Sequence, residues 1–195
     1  MAVLYWLILL AGLALWWGAH LFKRVAPGVR EPMGDKGKGL VALLLVGSIV
    51  LMVIGYRGTP FVNVWQPPVF LFHVNNLLVL VGIYMMTPAP KKGRLLNTWR
   101  HPMLAGFGLW AFGHLLANGD LTAIVTFGGL LAWALVEMRV INAAEPEWQP
   151  NPPGQIKFDA IFFAASVVAL LVIGLIHGWL GPWPFGGAGP FAGGM

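Results

Sequence analysis

Six apolar stretches, at residues 2–22, 39–56, 69–87, 101–118, 121–138 and 158–180, dominate this chain of 195 residues. Each approaches the ~20 residues that a helix needs to cross about 30 Å of hydrocarbon. Strand-like alternation is missing, and a bilayer admits only helices or closed barrels. The expected fold is therefore all-α, a polytopic transmembrane helical bundle of about six spans. Composition agrees, with 58% hydrophobic and 10% charged residues, against about 25% charged in an ordinary soluble domain. A soluble enzyme is excluded. The lack of any Cys removes disulfides, c-type haem attachment, thiolate zinc sites, iron–sulfur clusters and cysteine nucleophiles together.

The net charge of +5 reflects where loops fall, not an affinity for nucleic acid. Lys23, Arg24, Arg30, Lys36 and Lys38 follow the first stretch. Lys91, Lys92, Arg94 and Arg100 follow the third, and Arg139 and Lys157 lie near or after the end of the fifth. Of the 12 Lys and Arg residues, only Arg57 falls on the other side. This asymmetry predicts both termini on the non-cytoplasmic side, with the basic loops on the anionic inner leaflet. No basic region precedes the first stretch, which reads as a retained span and not a cleaved signal. Asn118-Gly119-Asp120 reads as a tight helical hairpin, and residues 144–155 as an extended connector. The organisation is one transmembrane domain, 1–180, followed by a Gly/Pro-rich, uncharged tail, 181–195, expected to be disordered.

Ionisable side chains within the stretches are almost confined to five histidines: His20, His73, His101, His114 and His177. An imidazole in hydrocarbon needs a partner, so each is a functional candidate. His177, beside Gly178 and Trp179, reads as an interfacial residue. The orientation puts His20 and His101 near the cytoplasmic face, and His73 and His114 near the other. His101 and His114 are separated by about 20 Å of helical rise and cannot ligate one metal from a regular helix. Across helices, His73 with His114 is the easier pair, with Asn76 and Asn118 each one turn away to orient an imidazole. Phe72, Phe107 and Trp110 offer an apolar wall. Imidazoles in an apolar slot, without thiolate or acidic cluster, suit haem b better than zinc or di-iron. Arg100, beside His101, offers a guanidinium for a haem propionate.

The run Arg100-His101-Pro102-Met103, then Gly106, Leu109-Trp110 and His114-Leu115-Leu116-Ala117-Asn118-Gly119-Asp120, resembles the NnrU family. These are bacterial membrane proteins named for an association with denitrification, with the 15-cis-ζ-carotene isomerase among their plant and cyanobacterial relatives. The resemblance covers roughly residues 1–140, including His20 and the segment Trp65, Pro67-Pro68 and His73. It implies a multi-pass haem-b protein of the bacterial inner membrane. The family's motif histidines fall on His20, His73, His101 and His114, and its ligand pair mixes the first-span and fourth-span histidines. The implied iron ligands are drawn from His114, His20 and His73. In the isomerase branch haem is tied to cis–trans isomerisation of a polyene, so the resemblance leans towards an isomerase acting on a 15-cis-ζ-carotene-like substrate. That branch carries a Cys close before the fourth-span histidine, where Ala111 stands here. The alternatives are an accessory or redox protein of denitrification with a small gaseous ligand, or a non-enzymatic haem- or lipid-binding membrane protein.

Overall fold

The computed structural model describes residues 1–186, 189 and 190, and these form eight helices and no strand. They are α1 (Ala2–Val25), α2 (Pro27–Arg30), α3 (Gly34–Gly58), α4 (Phe70–Met86), α5 (Ala89–Lys92), α6 (Pro102–Ala117), α7 (Leu121–Ala144) and α8 (Ile156–Leu180). Each apolar stretch becomes a helix, and α1, α3, α7 and α8 run on past the apolar residues because backbone bonding continues after hydrophobicity stops. Four of them, α1, α3, α7 and α8, are long and apolar enough to cross a membrane. Helices α4 and α6 are apolar but only 17 and 16 residues long, about 25 Å at 1.5 Å per residue. The architecture is a helical bundle of membrane type. Leu7, Val46, Ile49, Val168 and Leu171 lie exposed on long helices, an arrangement suited to lipid and not to water.

The chain forms two compact units, Met1–Trp65 with Gly119–Pro146, and Gln66–Asn118 with Glu147–Met195. In the first, α1 and α3 run antiparallel in close contact. A Cβ at Gly55 would lie 2.5 Å from the Leu9 backbone nitrogen, so glycine is what lets the two backbones meet. Helix α7 joins them through a buried stripe at helical spacing, Thr122, Thr126, Leu130, Trp133 and Glu137. Polar bonds fix its register. Trp17 Nε1 donates to the Gly129 carbonyl at 3.1 Å, and the Thr59 and Thr122 hydroxyls share a bond of 2.9 Å. Asp120 caps α7 by accepting from the Ala123 amide at 2.9 Å. The turn at Asn118-Gly119-Asp120 also marks where the chain passes between units.

The second unit repeats the plan: an antiparallel pair, α4 and α6, joined through a short Pro-started helix, with α8 as third member. Gly82 and Gly106 face each other so closely that a Cβ on either would lie 2.6 Å from the other's carbonyl oxygen. Asp159, 3% exposed, ties α8 to this pair. Its carboxylate accepts from the Tyr84 hydroxyl at 2.6 Å, the Arg94 amide at 2.6 Å and the Leu95 amide at 3.4 Å. The connector before α8 is extended, as expected, and Asn97 and Asn151 bond reciprocally through amide and carbonyl groups. Part of the tail expected to be disordered is described. Trp183 and Phe185 seat against Gly178 and Gly174 of α8, and Asn76 Nδ2 donates to the Pro184 carbonyl at 2.8 Å. The rest of that expectation, at residues 187, 188 and 191–195, lies outside the described residues.

Candidate functional site

Each unit holds one histidine prepared in the same way. In α1, His20 follows Trp16 by one turn, and its Nδ1 donates to the Trp16 carbonyl at 3.0 Å. In α6, His114 follows Trp110 by one turn, and its Nδ1 donates to the Trp110 carbonyl at 2.8 Å. A carbonyl only accepts, so the proton sits on Nδ1 and Nε2 carries the lone pair. The Trp-x-x-x-His spacing produces this because a side chain can reach back one turn to a carbonyl on its own face.

The rings are packed as well as hydrogen-bonded. His20 lies 4.4 Å from Trp16 and 4.3 Å from Trp133, centroid to centroid, and the two indoles meet edge-on at 5.2 Å. His114 lies 4.9 Å from Trp110, which in turn packs on Phe107 at 5.1 Å. Contrary to the spacing-based expectation, Asn118 does not orient the His114 ring. Its Nδ2 donates to the His114 backbone carbonyl at 2.8 Å and so closes the end of α6. Asn76 likewise bonds the Pro184 carbonyl and not His73. The orienting partner of His114 is the carbonyl one turn back.

The remaining candidates sit elsewhere. His73 is exposed on the first turn of α4. It lies two residues, about 200° of helical turn, from Asn75, whose side chain abuts Gly113 of α6. The antiparallel register thus brings His73 and His114 to one end of the pair, with the His73 ring facing outward. His101 is the N-cap of α6, followed by Pro102 in the first turn, and Arg100 stands next to it. Both line an open cleft of about 440 Å³ in the second unit, at the opposite end of α6 from His114. His177 is exposed, and its Nδ1 donates to the Pro182 carbonyl at 2.6 Å.

Two ionisable groups in the long helices escaped the sequence reading. Asp159 is the anchor already described. Glu137 of α7 is 9% exposed, its Oε2 has no hydrogen-bond partner, and it stands one turn beyond the Trp133 that packs on His20. Arg24, one turn after His20, lies within its electrostatic reach and pairs with Glu145 at 2.5 Å. A charged residue inside an apolar run was the available signal for both.

Among the described residues no group of three or more His, Cys, Asp or Glu converges as a metal-binding cluster. A metal held by one or two imidazoles must bring its other ligands with it, as the iron of haem does. The donor chemistry of His20 and His114 fits that group. Comparison with known proteins found no match among curated proteins or solved structures. The family described as NnrU protein matches residues 8–184, nearly the whole chain and well past the segment 1–140 that carries the motif resemblance. The chain belongs to the NnrU family.

Proposed function

We propose that this membrane protein binds haem b, with the Nε2 atoms of His114 and of His20 each a candidate iron ligand, and serves cis–trans isomerisation of an apolar polyene. The observation that carries the reading is the shared Nδ1 bond to the preceding tryptophan's carbonyl. A hydrogen bond on the far nitrogen fixes the tautomer, orients the ring and raises the basicity of the ligating nitrogen. Tryptophans against both rings keep water from them. When bound, haem b supplies a redox-active iron that weakens a conjugated double bond by electron transfer or coordination. The exposed apolar helix faces give a lipid-dissolved substrate access from the bilayer. His73 and His101, with Arg100, are further candidate contacts to the group.

In this reading the six apolar helices cross the bacterial cell membrane with both termini on the non-cytoplasmic side. The sorting of basic residues within each unit supports it. In the first, Lys23, Arg24, Lys36, Lys38 and Arg139 gather at one end and Arg57 stands at the other. In the second, Lys91, Lys92, Arg94, Arg100 and Lys157 share one end. Helices α4 and α6 then cross where the bilayer thins around them.

Ala111 favours a second reading. It is fully buried three residues before His114, where the isomerase branch carries a cysteine. A redox or nitric-oxide-linked accessory role in denitrification needs no thiolate. The test is expression with haem supplementation, followed by anaerobic incubation of the reduced protein with 15-cis-ζ-carotene. Conversion resolved by chromatography supports isomerisation. A Soret band that shifts with nitric oxide, without conversion, supports the second reading. No Soret band contradicts both and leaves a structural or lipid-binding role.

A further inference from the structure

The cleft beside Arg100 carries a chemistry that haem ligation at His114 and His20 does not use. It opens where α4 ends and α6 begins, and all of its lining residues belong to the second unit. Its lining includes Lys91, Arg100 and His101 together with Met85, Met86 and Met103. No Asp or Glu lines it. Its volume of about 440 Å³ falls in the range of small-ligand sites, roughly 300–1,000 Å³.

We propose that this cleft binds the phosphate head of an anionic membrane lipid. Three observations select that occupant. The cationic groups of the lining call for an anion, and a guanidinium with an ammonium in one cleft suits a phosphate ester. The methionine wall calls for an apolar continuation of the same molecule, and unbranched thioethers adapt to a flexible chain. The cleft also sits at the end of two apolar helices and is lined by the half-exposed Trp99, the level at which aromatic residues meet headgroups. A free inorganic anion would leave the apolar wall in water. A haem propionate would require the macrocycle to sit at the His101 end of α6, away from His114.

The test uses the full chain in vesicles of equal parts phosphatidylcholine and phosphatidylglycerol, extracted in mild detergent and weighed with its retained lipids by native mass spectrometry. Phosphatidylglycerol is expected to be retained in preference to phosphatidylcholine. Lys91→Gln and Arg100→Gln should each lower that preference about fivefold, the effect of roughly 1 kcal/mol per cation near the membrane surface. Lys92→Gln, outside the cleft, should leave it unchanged. Lys91 is exposed, so its variant keeps the test open if Arg100→Gln fails to fold. Equal retention of the two lipids, or unchanged preference in both cleft variants, overturns the proposal. So does displacement of the lipid by millimolar inorganic phosphate, which assigns the cleft to a free anion. Soret absorbance of the same samples separates this site from the haem reading. Loss of haem in the cleft variants with lipid preference intact makes the cleft a propionate site and overturns the lipid assignment.

Discussion

The Nδ1–H of His114 is donated to the carbonyl of Trp110, one turn back on the same helix, at 2.8 Å. The bond decides which nitrogen carries the lone pair, and its acceptor, a backbone carbonyl, does not titrate. The same relation between His20 and Trp16, at 3.0 Å, makes it a device used once in each unit.

Gly82 and Gly106 set the separation of α4 and α6. Gly82→Ala places a methyl group against the Gly106 carbonyl, and overpacking of this kind costs about 1–3 kcal/mol. Gly18→Ala, with nothing within 4 Å of the new carbon, is expected to be neutral. Thermal unfolding in detergent should show a lower midpoint for the first variant and no loss for the second. Equal midpoints would mean that the helix pair is not locked at that contact.

Asp159 holds α8 by three donors at once. Tyr84→Phe removes one of them and leaves the carboxylate with its amide partners. Asp159→Ala strands all three donors, and each buried donor left unpaired costs about 1–3 kcal/mol. The alanine variant should therefore melt well below the phenylalanine variant. A larger loss for Tyr84→Phe would show that the ring's packing outweighs the carboxylate.

Orientation can be read chemically because the chain has no cysteine of its own. A cysteine introduced at Lys92 should resist a membrane-impermeant thiol reagent applied from outside, whereas one at the exposed Phe61 should react. The reverse pattern inverts the proposed topology.

The six apolar helices were legible because hydrophobic stretches of membrane length leave the backbone one way to satisfy its hydrogen bonds. Their ends were not. Lys23 and Arg24 continue α1, and Asp35 to Lys38 begin α3, since a helix keeps its ladder after it leaves the apolar region. The division into two units was hidden because it depends on which helices touch, and α7 returns to partners far back in the chain. Asp159 and its tyrosine are 75 residues apart, a distance no local pattern reports. Of the site, the histidines were found by their cost in hydrocarbon. Their shared Trp-x-x-x-His spacing was visible but unused, because the meaning of the tryptophan lies in its carbonyl and not in its ring.

The absorption spectrum of the His114→Ala variant, expressed with haem and compared with the unmodified chain, tests the central claim most directly. Abolition or a strong shift of the low-spin spectrum is the expected result, with pyridine haemochrome assay giving the haem content and His177→Ala serving as the exposed control. A wild-type spectrum in the His114 variant would contradict the account and leave this histidine as a hydrogen-bond donor that packs its own helix.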